Sequence, residues 1–177
     1  MQCQLVLPGI PPTAGKNGTG VGHIIASEFS SVPRFFVFPI PLSSMSLVTY
    51  LVEDNQIILA QLIETLEEMA DVSIKAHTGS QTEAIHWLMQ ENRHWDLAIV
   101  DLFLNEGNGL GILEGCQRRD AHQKMVVLTN YATAEIRRRA AELGADALFD
   151  KSEQLEDLVA YCESQVKNSN LLSNNKH

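Results

Sequence analysis

The sequence has few cysteines and few basic residues, and most of its length lacks proline. Its 177 residues contain three cysteines, Cys3, Cys116 and Cys162, without a C-x-x-C spacing, so neither a disulfide framework nor a zinc site is predicted. Thirteen Lys and Arg against 22 Asp and Glu give a net charge of −9. An acidic chain repels phosphates and anionic lipid, so neither nucleic acid nor a membrane is an expected partner. The unpaired cysteines favour a reducing, cytoplasmic location.

Proline is confined to the first quarter of the sequence. All six prolines lie in the first 44 residues, with five of the eleven glycines and only three charged side chains. This segment has no hydrophobic period and is interrupted too often for a helix, a secretory signal or a membrane span. We therefore expect residues 1–44 to be a Pro/Gly-rich N-terminal extension, either disordered or a start-site artefact. Residues 45–167 are expected to form one domain, and residues 168–177 a polar C-terminal tail.

From residue 45 onward, short apolar segments alternate with segments of helical period. Strands are predicted at residues 47–52, 72–77, 97–102, 125–128 and 147–149, each followed by a helix. Ser80, Thr133 and Ser152 are predicted N-caps, Gly144 is a predicted helix stop, and the third helix is predicted to end near Arg119. Five such units with apolar strands predict an α/β fold: a doubly wound, five-stranded parallel sheet with helices on both faces.

Polar residues follow four of the predicted strands. Glu53 and Asp54 follow the first, Asp101 the third, Thr129 the fourth and Lys151 the fifth. Because the carboxyl ends of parallel strands share one edge of the sheet, these side chains should converge. Crowded carboxylates repel unless a cation lies among them, and an all-oxygen cluster suits Mg²⁺. Asp101 could then attack a phosphoryl group, with Thr129 and Lys151 as donors to the phosphoryl oxygens.

Four sequence motifs resemble the receiver domain of bacterial two-component response regulators. They are VTYLVEDNQ with its acidic pair, LAIVDLFLNEGNGLGIL with the acceptor Asp and a later glycine, MVVLTNYA with the hydroxyl, and GADALFDKS with the Lys. The separations of 47, 28 and 22 residues between Asp54, Asp101, Thr129 and Lys151 also match the family. The resemblance extends over about residues 46–166.

The resemblance implies a flavodoxin-like fold with strand order 2-1-3-4-5 and a phosphorylation site. Asp54 and Asp101 would ligate Mg²⁺ directly, Glu53 through water, and Phe103 through its backbone carbonyl. Asp101 would take phosphate from a sensor histidine kinase or a histidine phosphotransfer protein, and the domain would catalyse its own phosphorylation and dephosphorylation. The hydroxyl and the ammonium would then close on the phosphoryl oxygens and shift the domain between two conformations.

Near the predicted site, one residue departs from the family pattern and two others are bulky. Leu148 stands three residues before the Lys, where the family usually has the aromatic residue that swings inward on activation. Phe103 and Tyr131 border the acceptor and the hydroxyl, and we hypothesise that they screen the phosphoryl group from water. Alternatively, both are partly buried hydrophobes. Residues 137–139 are three arginines on the fourth predicted helix, either a solvated face or a docking surface.

The predicted output follows from the short C-terminal tail. About ten polar residues follow the fifth predicted helix, so we expect no DNA-binding domain. The prediction is a single-domain response regulator that signals through a downstream protein target or relays the phosphate. The alternative is a phosphate-independent receiver-fold interaction module. Leu148 favours it, but the acidic cluster disfavours it, because buried carboxylates without a function would only lower the stability of the fold. A third hypothesis, a Mg²⁺ phosphohydrolase with an Asp nucleophile, is disfavoured because such an enzyme usually has a second Asp where Phe103 stands.

Overall fold

The computed structural model describes residues 46–174, which form five alternating strands and helices. The predicted N-terminal extension, residues 1–44, lies outside the described residues. The strands are β1 (Leu47–Val52), β2 (Val72–Thr78), β3 (Leu97–Val100), β4 (Lys124–Thr129) and β5 (Ala147–Asp150). The helices are α1 (Gln56–Met69), α2 (Gln81–Leu88), α3 (Gly109–Gly115), α4 (Ala134–Glu142) and α5 (Leu155–Asn174).

The strands form one parallel sheet in the order β2-β1-β3-β4-β5, which confirms the predicted flavodoxin-like fold. Successive residues of a strand point to opposite faces, so apolar strands supply two hydrophobic layers. On one face Ile99 packs in a layer with Leu66 of α1 and Leu158 of α5. On the other face Val100 packs in a layer with Ile112 of α3 and other residues from α2 and α4. Both faces of the sheet are therefore covered.

Short polar side chains begin four of the helices. Ser80 accepts from the Glu83 N–H at 3.4 Å and Thr133 from the Ile136 N–H at 3.2 Å, which confirms both predicted N-caps. Asn55 and Asn108 cap α1 and α3 in the same way. Asn55 follows the acidic pair directly, so the capping turn of α1 also fixes the backbone beside the predicted site.

The structure corrects the limits of two predicted helices. Ser152 is not the N-cap of the last helix, because its hydroxyl donates to Asp150 Oδ1 at 2.5 Å and α5 begins only at Leu155. The third helix ends at Gly115 rather than near Arg119, whose guanidinium instead donates to the Gly144 carbonyl and to Asp146. Hydrogen bonds of Ser152 and Arg119 within the folded chain, rather than the local sequence pattern, therefore accompany the observed limits of these two helices.

Helix α5 continues past the predicted end of the domain. Its hydrophobic spacing stops at Val166, but the helix runs to Asn174 and includes most of the predicted polar tail. Each added residue of an existing helix contributes one backbone hydrogen bond, so a polar stretch can extend it without an apolar stripe. Within residues 46–174, no helix has the length and apolar character needed to cross a membrane.

Acidic residues at the amino edge of the sheet are paired within the fold. Asp96 accepts from the Val48 N–H at 2.9 Å, and Asp146 accepts from the Met125 N–H at 2.8 Å. Burial alone would raise the pKa of Asp146, but the Met125 N–H, Arg119 and Lys124 lower that pKa below its usual value. The two carboxylates at this edge thus hold neighbouring strands together.

Candidate functional site

Three carboxylates meet at the carboxyl edge of the sheet. Glu53 and Asp54 follow β1, Asp101 follows β3, and these strands are hydrogen-bonded neighbours. One oxygen of each carboxylate lies within 4.8 Å of the corresponding oxygens of the other two. Glu53 and Asp101 are buried, at 2% and 7% exposure. The structure therefore brings together the acidic residues that the sequence predicted at this edge.

Lys151 supplies the positive charge in this cluster. Its Nζ lies 2.5 Å from Glu53 Oε2 and 2.7 Å from Asp101 Oδ2, and the Lys151 side chain is only 9% exposed. One ammonium balances one of the three carboxylates of the cluster. The remaining charge and the all-oxygen donor set fit a hard divalent cation such as Mg²⁺. The residues present are thus able to hold a metal ion.

Backbone N–H groups fix the orientation of each carboxylate. The Asn55 N–H donates to Glu53 Oε1 at 3.0 Å and the Asn105 N–H to Asp54 Oδ2 at 2.8 Å. Asp101 Oδ1 accepts more weakly from the N–H two residues later, at 3.3 Å. Because these donors lie in the loops after β1 and β3, loop geometry sets where the carboxylate oxygens point. The backbone of these two loops therefore orients the cluster.

Thr129 lies at the end of β4, beside the strand that carries Lys151. It is fully buried, and its Oγ1 accepts from the Tyr131 N–H at 3.2 Å. The Lys151 N–H donates to the Thr129 carbonyl at 3.0 Å. The predicted hydroxyl and ammonium therefore belong to two adjacent, directly hydrogen-bonded segments.

The two bulky residues that border the cluster touch each other. The rings of Phe103 and Tyr131 have centroids 4.8 Å apart, tilted by 58°. Phe103 is 56% exposed and Tyr131 is 61% exposed, so neither belongs to the hydrophobic core. Leu148 in contrast packs against the layer that contains α4, while the adjacent Phe149 packs on the opposite face near Tyr161. Phe149 thus cannot take the place of an aromatic residue at position 148.

Sequence reasoning missed residues that position the acceptor loop. A Cβ at Gly79 would lie 2.9 Å from Asp54 Cα, so the loop after β2 presses directly against the acidic pair. The Gln81 side chain accepts from the Asn108 N–H at 2.7 Å and packs against Gly107, whose φ is +86°. A glycine after a strand was the available signal for Gly79. No local sequence signal pointed to Gln81, because its hydrogen-bond partner Asn108 is 27 residues away along the chain.

Comparison with known proteins identifies the family. The profile of the response regulator receiver domain matches residues 49–163, more than half of the chain. The chain therefore belongs to the response regulator receiver domain family, as the sequence motifs predicted. Receiver domains of this family belong to the response regulators of two-component systems.

Curated relatives are longer than the matched region. The photosynthetic apparatus regulatory protein RegA of Rhodobacter capsulatus is 31% identical over 109 residues, 62% of this chain and 57% of RegA. The uncharacterized transcriptional regulatory protein YvfU of Bacillus subtilis is 23% identical over 124 residues, 70% of this chain and 61% of YvfU. The chain thus matches about three fifths of the length of each of these relatives.

Solved structures share the fold at low sequence identity. A DNA-binding response regulator of the LuxR family from Staphylococcus aureus aligns with a TM-score of 0.60 at 18% identity, over 68% of this chain and 98% of that one. The BeF3-activated DrrB receiver domain aligns with a TM-score of 0.59 at 19% identity, over 70% and 99% of the two chains. At such identities, these likenesses support the fold alone.

The prediction of partners was wrong where it excluded a DNA-binding domain. That prediction named a phosphohistidine protein and a downstream protein target, and it excluded DNA. The relatives include a transcriptional regulatory protein, and the structural neighbours include a DNA-binding response regulator. A structure of Salmonella typhimurium RcsB, also similar in fold, concerns DNA interaction. The prediction failed because the charge and the tail of one receiver region say nothing about how response regulators as a family produce output.

Proposed function

We propose that Asp101 is the phosphoacceptor of this receiver domain and takes its phosphoryl group from a phosphohistidine. The observation that carries the proposal is that the Asp101 carboxylate lies in one cluster with Glu53 and Asp54 and 2.7 Å from the Lys151 ammonium. A nucleophilic carboxylate beside a cation suits attack on a phosphoryl group, because the cation offsets the repulsion between two anions.

The metal site in this proposal consists of Glu53, Asp54, Asp101 and the backbone carbonyl of Phe103. Their oxygen donors fit Mg²⁺, which when bound supplies positive charge to the phosphoryl oxygens. Asp54 is partly exposed, whereas Glu53 is 2% exposed and tied to Lys151. This difference favours direct ligation by Asp54 and indirect ligation by Glu53.

The transfer itself exchanges one bond to phosphorus for another. An oxygen of Asp101 attacks the phosphorus, the P–N bond to the imidazole breaks, and the electron pair of that bond stays on the imidazole nitrogen. The Lys151 ammonium and the Thr129 hydroxyl then donate to the phosphoryl oxygens. Attack of water on the phosphorus later breaks its bond to the Asp101 oxygen, releases inorganic phosphate and restores the free carboxylate. The domain, in the cytoplasm, would thus catalyse both reactions on itself.

Substitution of Asp101 tests this function directly. The chain incubated with Mg²⁺ and acetyl phosphate is expected to gain one phosphoryl group by intact mass, stable to acid and labile to base. Asp101→Asn should gain none, because the amide is a poor nucleophile. Asp96→Asn is the matched control: that carboxylate lies at the opposite edge of the sheet and holds the Val48 N–H. Equal labelling of the wild-type chain and Asp101→Asn would refute the proposal.

Phe103 and Tyr131 are proposed to limit the access of water to the phosphoryl group. Phe103 follows the acceptor and Tyr131 follows the hydroxyl, their rings contact each other, and both are more than half exposed. The Phe103→Asn, Tyr131→Ala double variant is expected to shorten the half-life of the phosphorylated state by roughly tenfold, a barrier change of about 1.4 kcal/mol, because water then reaches the phosphorus more readily. Loss of phosphate over time by intact mass measures it.

The control for this prediction is an exposed apolar residue far from the site. Met69→Ala removes a side chain that is 58% exposed at the end of α1. We expect its phosphate half-life to equal that of the wild-type chain. An unchanged half-life in the double variant would show that the aromatic pair does not shield the phosphoryl group.

A second candidate function is a phosphate-independent interaction module. The observation that favours it is Leu148, a half-buried aliphatic residue where the family usually carries the mobile aromatic. Under this alternative, partner binding would be the same for the wild-type chain and for Asp101→Asn, with or without acetyl phosphate. A labelled acceptor in the experiment above would decide against it.

A further inference from the structure

The first residue of the arginine cluster on α4 bonds differently from its neighbours. Arg137 reaches out of its own helix, and its Nη1 donates to the Leu148 carbonyl at 2.8 Å while its Nη2 donates to Gln154 Oε1 at 2.8 Å. Its Nε donates to the Ala132 carbonyl at 3.2 Å. Arg138 in contrast pairs with Glu142 within the same helix. One guanidinium thus joins the loop before α4, the strand β5 and the start of α5.

The Leu148 carbonyl needs a partner from outside the sheet. Within residues 46–174, strand β5 lies at the edge of the sheet and pairs only with β4, so backbone groups on its outer side have no neighbouring strand there. The planar guanidinium carries several donors in a fixed geometry, which lets it serve two carbonyls and an amide together. A Lys side chain at this position could not span the same three acceptors.

Gln154 connects this arrangement to the turn that carries Lys151. Its Oε1 also accepts from the Asp150 N–H at 3.2 Å, and its own N–H donates to the Asp150 carbonyl at 2.9 Å. These bonds close residues 150–154 into a turn, with Lys151 inside it. The backbone position from which the Lys151 ammonium reaches Asp101 is therefore anchored to α4 through Arg137.

We propose that Arg137 is a positioning residue for Lys151, holding the turn at residues 150–154 so that the ammonium can meet a phosphoryl group on Asp101. This inference rests on the proposed phosphoacceptor role of Asp101. Because the same guanidinium holds the Ala132 carbonyl, three residues after Thr129, it also keeps the hydroxyl-bearing loop and the Lys151 turn in a fixed relation.

The test measures the affinities for beryllofluoride and for Mg²⁺, because loss of Arg137 should weaken the first and not the second. Beryllofluoride, a stand-in for the phosphoryl group on a carboxylate, is titrated at saturating Mg²⁺, and Mg²⁺ is titrated alone. Arg137→Ala should weaken beryllofluoride binding about three- to tenfold, in keeping with the loss of exposed charged hydrogen bonds. Mg²⁺ affinity should not fall, because its carboxylate ligands lie in loops that Arg137 does not touch and the Lys151 ammonium competes with the metal for those carboxylates.

Matched variants separate positioning from a general structural effect. Gln154→Ala removes the link to the Lys151 turn and should weaken beryllofluoride in the same way, whereas Arg138→Ala should change neither affinity. Wild-type beryllofluoride affinity in Arg137→Ala, or an equal loss of both affinities, would overturn the inference while leaving the proposed function intact. If the wild-type chain takes no beryllofluoride, the proposed function is overturned and this inference with it.

Discussion

Replacement of Lys151 with Met is expected to slow phosphoryl uptake from acetyl phosphate by about a hundredfold, the effect typical of losing one donor to a developing oxyanion. The Lys151 Nζ contacts both Asp101 and Glu53, so its loss removes the cation that the phosphoryl oxygens would meet. The same variant should bind Mg²⁺ more tightly, by roughly three- to tenfold, because a competing positive charge leaves the carboxylate cluster. Intact mass and a Mg²⁺ titration measure the two effects.

The opposite directions of these two effects make the prediction specific. Lys167→Met serves as the control, since Lys167 pairs with Glu163 on the exposed face of α5 at 3.6 Å. It should change neither phosphoryl uptake nor Mg²⁺ affinity. If Lys151→Met lowered both, the cluster would be collapsing rather than losing a phosphoryl ligand, and the role given to Lys151 would be wrong.

Gly109→Ala is expected to lower the free energy of unfolding by about 3 kcal/mol, at the upper end of the range for overpacking. A Cβ at Gly109 would lie 2.3 Å from the Asp101 carbonyl oxygen and 3.0 Å from Leu102 Cα, so backbone must move to admit it. Because that backbone carries the acceptor, phosphoryl uptake should fall as well. Urea unfolding and intact mass are the measurements.

Gly115→Ala is the matched control at the other end of α3. The three atoms nearest to a Cβ there all belong to the Ile85 side chain, at 2.8, 3.0 and 3.2 Å, so a side chain rather than backbone must shift. The gain in helix propensity from Gly to Ala, about 1 kcal/mol, offsets most of this contact. Equal destabilisation by the two substitutions would contradict the account of Gly109 as the residue that lets α3 approach the acceptor.

The fold was predictable because the sequence repeats one signal five times. Strands such as β3, with buried residues throughout, can only be covered on both faces, and βα order then dictates a parallel sheet. The placement of the acidic cluster followed from the same rule, since the carboxyl ends of neighbouring strands meet. Glu53, Asp101 and Lys151 could thus be assigned to one edge before any distance was known.

Contacts between distant side chains were not predictable from local pattern. The sequence pattern predicts a solvated face or a docking surface at Arg137, yet its guanidinium donates hydrogen bonds to three segments of the fold. Ser152 has the sequence position of an N-cap, but its hydroxyl donates instead to Asp150 Oδ1, two residues earlier. The hydrogen-bond partner of a polar side chain depends on which groups lie near it in the folded chain. The hydrophobic period of the sequence does not predict those groups.

The measurement that tests the central claim most directly is chemical trapping of the acceptor. Borohydride reduces an acyl phosphate on aspartate to homoserine, which marks the residue permanently. After treatment with acetyl phosphate and Mg²⁺, peptide mass spectrometry of the full chain should find homoserine at position 101 and at no other acidic residue. Homoserine at Asp54, or unmodified aspartate at position 101 in a chain that has gained phosphate, would contradict the account.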